Sequence, residues 1–332
     1  MGKSKVLITG GTGYIGGRFI SYLLASGTEE TEIYVLARRE CTEWRQYPVQ
    51  VIRGDLVELE PDQFKNQNFD VVIHFAAVMA DRDELPDEAF HQANVVGTRN
   101  LIESLRGCHV RQFIYTSTVG VYGPTSSEPV REEIRTGSNL SIYESTKLEG
   151  EMVCRELCSQ YEMPWTILRL GLIYGEGMTY GWPTVVDSTR KGQMRVIGDG
   201  VPMIQLSYIR DIIDGIALTI GNPEAVGETI NLSGADACAI SQVFNTIADI
   251  LDVKHPKTIP FAPLYLLSHG VSHLPTALKT KKLKLLTPHR VRFFKENHVY
   301  SIEKARKILR FSPKYSIKHG MDTMIATLLN EN

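Results

Sequence analysis

The sequence predicts an α/β chain: a doubly wound parallel sheet followed by a smaller, mostly helical C-terminal domain. Three observations predict it. Short apolar runs without polar alternation recur as far as Leu170, the pattern of strands covered on both faces. Longer segments with helical apolar spacing lie between them, so strands and helices alternate as βαβ units require. After Gly175 the alternation breaks, with glycines or prolines at 177, 181, 183, 192, 198, 200 and 202.

The elements follow in order. KVLIT (5–9) reads as the first strand. A glycine-rich turn leads into IGGRFISYLLAS (15–26), a helix that Gly27 can stop. EIYVLA (32–37), VQVIRG (49–54) and DVVIHFAA (70–77) read as strands two to four. A long helix is expected over 87–106, and RQFIYTST (111–118) as the fifth strand. YESTK (143–147) opens a helix running to about 162, and Pro164 precedes the sixth strand, WTILRL (165–170). Short mixed pieces lead to about 235, and 236–332 reads mostly helical. Right-handed crossovers place helices on both faces of the sheet.

Composition excludes several classes. The 332 residues are 43% hydrophobic with a net charge of −2, so no basic field points to nucleic acid. Cysteines 41, 108, 154, 158 and 238 form an odd set without a secreted framework; reduced thiols and a cytoplasmic location are expected. Cys154 and Cys158 are one helical turn apart, but two ligands alone make a poor zinc site, and no metal is expected. Lys3 and Lys5 lead straight into a short apolar run, unlike a signal peptide, and no run is long enough to span a membrane. FAPLYLLSHGVSHL (261–274) is apolar and precedes KTKKLK (279–284) and PHRVRFFK (288–295). It reads as a helix of the second domain with a solvated basic end, or as an element for a membrane surface or lipophilic substrate.

TGGTGYIGG (9–17) lies directly between a strand and a helix. Gly10, Gly13 and Gly16 give a tight turn, close backbone approach to a pyrophosphate and tight helix–strand packing. The helix N-terminus adds free N–H groups and a positive dipole. This makes the sheet a Rossmann-type dinucleotide-binding domain over 1–175, with return segments at about 205–235. Residues 176–204 and 236–332 are then a substrate domain over the carboxyl ends of the strands, where binding crevices lie. The acid expected at the end of strand two is replaced by Ala37, followed by Arg38 and Arg39. Arginine there suits a 2′-phosphate, so NADP is expected, with NAD as the alternative.

The set TGGTGYIG (9–16), GDL (54–56), HFAA (74–77), NVVGTRNL (94–101), TSTVGVYG (116–123), YESTK (143–147), LRLGLIYG (168–175), YIRD (208–211) and NLSG (231–234) resembles the extended short-chain dehydrogenase/reductase family, the NAD(P)-dependent epimerase/dehydratase type. The resemblance runs from residue 5 to about 235. It implies Tyr143 and Lys147 as the catalytic pair and Thr118 as the active-site hydroxyl, with Ser117 a weaker candidate. It implies cofactor contacts from Gly10, Thr12, Gly13, Tyr14, Ile15 and Gly16, and from Tyr143 and Lys147. Asp55 would meet the adenine beside the Leu56 backbone, Ala76 and Ala77 would line the cofactor, and Asn94 would lie beneath it. It also implies a homodimer built through helices near 87–106 and 143–162.

The chemistry explains the YESTK spacing. A free phenol ionises near pH ~10 and is a poor base at neutral pH. An ammonium one turn away favours the phenolate, so Tyr143 can act as general acid–base while Thr118 fixes the substrate oxygen. The cofactor carries the redox step and the protein orients and polarises.

Within the family, dehydratases place an Asp-Glu pair after the active-site Thr; here Val119 and Gly120 stand there. Nucleotide-sugar epimerases read the nucleotide with an Asn and an Arg; the matching positions here are Leu172 and Ile204. The expected activity is therefore an NADP(H)-dependent interconversion of a ketone and a secondary alcohol on a small lipophilic substrate. It resembles the branch of 3β-hydroxysteroid dehydrogenases and dihydroflavonol reductases. The alternatives are a nucleotide-sugar epimerase and a non-catalytic NADP sensor. Asp81, Arg82 and Asp83 read as a solvated loop, with substrate contact as the alternative, and Met178, Tyr180 and Trp182 as either a substrate wall or domain packing.

Overall fold

The computed structural model describes residues 3–27, 30–80, 82, 85–123, 125, 128–134, 136–137, 140–274, 283 and 286–330. Asp81, Asp83 and the four lysines of KTKKLK lie outside the described residues.

Seven parallel strands form the main sheet, in the order β3–β2–β1–β4–β5–β6–β11. They are β1 (Ser4–Thr9), β2 (Thr31–Ala37), β3 (Val49–Arg53), β4 (Val71–His74), β5 (Gln112–Thr118), β6 (Trp165–Leu170) and β11 (Thr229–Leu232). The six strands read from the sequence are all present, and β11 arises from the return segment. Strand direction of growth reverses between β1 and β4, the switch point at which such sheets open a crevice.

Alternate side chains enter opposite layers, as a pleated strand requires. Val6, Ile8, Ile114, Leu168 and Leu170 pack with Phe19 and Ile20 of α1 (Tyr14–Ala25) on one face. Leu7, Val72, Phe113, Tyr115 and Ile167 pack on the other. There they meet α2 and α3 (Asp87–His91, Gly97–Ser104) and α4 (Ile142–Gln160), through Leu101, Val153 and Leu157 among others.

Two expectations need correction. β4 ends at His74 rather than 77, because Phe75 and Ala76 turn to bond Thr9: Phe75 N donates to Thr9 O (3.2 Å) and Ala76 N to Thr9 Oγ1 (3.3 Å). The helix at 87–106 is not uniform. A π-helical turn, Gln92–Val96, joins α2 to α3. Asn94 lies in it, bonded to Val78 and Thr146, and these long-range bonds favour the wider turn there.

Beyond Leu170, three short pairs form: β7 (Leu172–Tyr174) with β10 (Leu206–Tyr208), β8 (Arg195–Ile197) with β13 (Lys257–Ile259), and β9 (Met203–Ile204) with β12 (Cys238–Ala239). Helices α5 (Trp182–Arg190), α6 (Ile209–Thr219), α7 (Ile240–Ile250) and α8 (Phe261–Ser272) accompany them, followed by the short helices Pro288–Phe293 and Glu303–Leu309 and a longer one, Ile317–Asn330. The apolar core runs without interruption from Val6 and Ile8 into Phe244, Ile247, Met321 and Met324.

Candidate active site

The glycine loop is shaped as a cradle. Gly10 has φ +70°, and a Cβ there would stand 2.6 Å from Ala76 N. A Cβ on Gly16 would run into the Gly10 carbonyl. Gly13 caps α1 without a side-chain bond, and no acidic residue stands in the first turn. The helix thus presents its first amides to a space bounded by Thr12 and Gly13, both exposed, and half-buried Ile15. That arrangement fits the pyrophosphate of a dinucleotide. Tyr14 sends its hydroxyl elsewhere, donating to Glu176 O (3.2 Å) beside the Arg18 bond to the same oxygen (3.0 Å). Arg38 is exposed just past β2. Asp55 is half-buried and caps the next turn, accepting from Val57 N (3.1 Å), while the Leu56 carbonyl accepts from Asn100 Nδ2 (3.1 Å).

Beneath this cradle runs a buried chain of hydrogen bonds that the sequence reading did not single out. Thr98 Oγ1 donates to Asn94 O (2.7 Å), so it accepts from His74 Nε2–H (3.0 Å). His74 Nδ1 then accepts from Thr9 Oγ1 (2.6 Å), whose oxygen receives Ala76 N–H. The chain fixes Ala76 and Asn94 together. Burial, with the Lys147 charge adding to it, pushes the His74 pKa down to about 3. His74 is therefore neutral when folded and free to charge only when unfolded. Its contribution to stability is complete above its ordinary pKa of about 6.5 and is lost as pH falls toward 3. At pH 5 the loss is about 2 kcal/mol. Urea midpoints at pH 7 and pH 5 check this: His74→Gln should show a shallower acid loss, and equal losses in both proteins would refute it.

The YESTK segment opens α4. Ser141 and Glu144 form a reciprocal capping box, Glu144 N to Ser141 Oγ (3.3 Å) and Ser141 N to Glu144 Oε2 (2.7 Å). Tyr143 lies in the first turn, half-buried, and Lys147 is buried one turn on. Burial pulls the Lys147 pKa down to about 7. Its Nζ stands 4.2 Å from the centre of the Tyr115 ring. Tyr143 is within electrostatic reach of Tyr115 as well, and helps to hold that phenol un-ionised. Thr146 accepts from Asn94 Nδ2 (3.0 Å), joining α4 to the π-helical turn.

Thr118 ends β5 half-buried, its Oγ1 accepting from Gly120 N (3.1 Å). A Cβ on Gly120 would stand 3.0 Å from Glu144 Cγ, so the turn after Thr118 lies against the first turn of α4. Ser117 points into the core, donating to Glu151 Oε1 (2.6 Å), which leaves Thr118 as the hydroxyl on the open side. Glu151 also binds Arg169 through Nε (2.9 Å) and Nη2 (2.8 Å), and Arg155 (2.9 Å). Its buried carboxyl, which desolvation alone would raise, is held below the usual range by Arg169, Ser117 and Arg155. This network clamps α4 onto β5 and β6.

Beyond the main sheet, Leu172 is half-buried in β7, and Ile204 is buried in β9, paired with Cys238 and bridged to His298. Met178 is buried and Trp182 packs near Tyr174 with its Nε1 donating to Ile173 O (3.3 Å), which favours domain packing for those two. α8 buries Ser268 and Val271 but leaves Leu266 72% exposed, so the apolar 261–274 segment is not simply a core helix. Among the described residues no helix is long and apolar enough to cross a membrane, and no cluster of three or more His, Cys, Asp or Glu could hold a metal ion.

A model of the NAD dependent epimerase/dehydratase family matches residues 6–233, well over half of the chain. The chain belongs to this family. It is an NAD(P)-dependent oxidoreductase of the extended short-chain type. An uncharacterised UDP-glucose epimerase of Bacillus subtilis is 27% identical over 267 residues, covering 79% of this chain and 75% of that protein. A 2-alkyl-3-oxoalkanoate reductase of Stenotrophomonas maltophilia is 27% identical over 338 residues, covering 97% and 99%. The UDP-glucuronic acid 4-epimerase of Bacillus cereus, solved with UDP-glucuronic acid and NAD, superposes with a TM-score of 0.79 at 22% identity, covering 99% and 100%. At that identity the likeness shows the fold. As names, these relatives and neighbours weigh more toward nucleotide-sugar epimerases than the sequence reading did.

Proposed function

We propose that this family member interconverts a secondary alcohol and a ketone on a small apolar substrate, using NADP(H), with Tyr143 as general acid–base. The observation that carries this is buried Lys147, one helical turn from Tyr143 on a clamped helix, with the Thr118 turn packed against that helix. A bound nicotinamide supplies hydride transfer. The chain's own residues do the rest. The loop Gly10, Thr12, Gly13, Tyr14, Ile15 and Gly16 holds the pyrophosphate by its backbone. Asp55 and Leu56 flank the adenine, while Ala76, Ala77 and Asn94 form the floor. Lys147 holds the nicotinamide ribose and favours the Tyr143 phenolate. Tyr143 then takes the proton of an alcohol or returns it to a ketone, and Thr118 orients the reacting oxygen. Residues 176–204 and 236–332 supply the substrate side. The same reading pairs two copies of the chain through the helices near 87–106 and 143–162, where Met152 is an exposed apolar side chain.

Leu172 and Ile204 support an apolar substrate, since neither offers a donor to a diphosphate, and the full-length similarity to an oxoalkanoate reductase points the same way. The second reading, nucleotide-sugar epimerisation through a transient ketone, is favoured by the larger share of named relatives and neighbours. One experiment separates them: NADPH with a panel of alkyl ketones and oxo acids, and UDP-sugars analysed for epimers. Ketone-dependent loss of NADPH absorbance is expected. Epimer formation without net cofactor change would transfer the assignment, and tight NADPH binding with neither reaction would make the protein a sensor.

Arg38 carries the cofactor choice. A charge-assisted bond to a 2′-phosphate is worth about 1.5–3 kcal/mol, so Arg38→Ala should weaken NADP by roughly 10- to 100-fold and NAD far less. Equal losses in a binding titration would refute the arginine assignment.

A further inference from the structure

We propose that the ring of Tyr115 holds the Lys147 ammonium in place, which makes Tyr115 a positioning residue for the Tyr143–Lys147 pair. The inference rests on the functional reading above for its meaning, and on separate geometry for its content. Tyr115 is fully buried in β5, on the face of the sheet that α4 covers. Lys147 Nζ lies 4.2 Å from its ring centroid, within the range where a ring face attracts a cation. The ring cannot withdraw. Its hydroxyl donates to Lys147 O (3.3 Å), and the His74 ring stands 5.7 Å away on β4. Gly150 leaves the hydroxyl its space, since a Cβ there would overlap it.

The ammonium needs such a partner. Burial disfavours its charge. Among the described residues Lys147 makes no ion pair; Glu151, one turn on, favours its charge through space but gives its hydrogen bonds to Arg169, Arg155 and Ser117. The other titratable groups facing this site are Tyr143 and Cys154 on α4, Tyr115 on β5 and His74 on β4. His74 is neutral and bonded at both ring nitrogens, and the Cys154 thiol is held protonated by burial. Glu151 favours the charge from one turn on, and the negative face of the Tyr115 ring is the group in direct contact with it.

The test is a titration of Lys147 in the whole protein without cofactor or substrate. It follows the isotope-labelled lysine Cε resonance, assigned by its absence in Lys147→Arg. Tyr115→Phe keeps the ring and should leave the pKa nearly unchanged. Phenylalanines bearing one, two and three ring fluorines keep the shape while emptying the ring face. Their expected effect is a stepwise fall reaching about one pKa unit, a tenfold change in proton affinity. Tyr115→Leu should fall at least as far. A pKa that stays constant along the fluorine series would overturn the inference. If the wild type turns over ketones but the titration is flat, this inference alone fails. If the fluorine series shifts Lys147 but no substrate is turned over, the functional reading alone fails.

Discussion

Tyr143→Phe is expected to stop turnover while leaving cofactor binding essentially intact. The substitution removes one oxygen and keeps the ring, the capping box and the helix register. If the phenol is the acid–base group, its loss should lower kcat by about a hundred- to ten-thousand-fold, the usual contribution of a positioned proton donor. Quenching of protein fluorescence by NADPH should report almost the same affinity, since the glycine cradle and Lys147 are untouched. Lys147→Met differs in kind: on this proposal it removes both the ribose contact and the charge that favours the phenolate, so affinity and kcat should fall together. Lys147 is drawn down to about 7 in the free protein. The ammonium therefore thins out above that pH unless the phenolate and cofactor restore it. A variant Tyr143→Phe with wild-type kcat would remove the central residue of the proposal.

What the sequence disclosed and what it hid have a common physical basis. Runs such as KVLIT and RQFIYTST are local statements about burial on both faces, and they became β1 and β5 within a residue at either end. The glycine loop was legible because its demand for absent Cβ atoms is local too. The family resemblance points to Thr118 rather than Ser117, and in the structure Ser117 faces Glu151 inside. The π-helical turn could not be read, because the apolar spacing of 87–106 suits an ordinary helix. Asn94 opens it by bonding Val78, sixteen positions away, and Thr146, fifty-two away. His74 hid for the same reason, since its two partners, Thr9 and Thr98, come from distant elements. Glu151 reads as one more surface charge in KLEGE, yet it is fully buried. The clue was its partner: an arginine inside the apolar strand WTILRL has to be paired.

That partner sets the second large effect. Arg169→Met should destabilise the protein by about 3–5 kcal/mol, because it leaves the buried Glu151 carboxylate with Ser117 and the half-exposed Arg155 only. Urea unfolding measures this, and Arg169→Met combined with Glu151→Leu should recover most of the loss, since removing both charges ends the penalty of burying one. The pH dependence gives an independent check. In the wild type the Glu151 carboxyl is held below its ordinary value, so its pairing stabilises above about pH 4.3 and is lost as pH falls through the lower folded value. Without Arg169, desolvation would dominate and raise that pKa, and the carboxyl would take up a proton at milder acidity. The stability gap between wild type and Arg169→Met should therefore narrow as the solution is acidified. A gap that is constant with pH would mean that lost packing of the long arginine stem, not an orphaned charge, is the cause. In that case Glu151 would not be what fastens the Tyr143–Lys147 helix to the sheet.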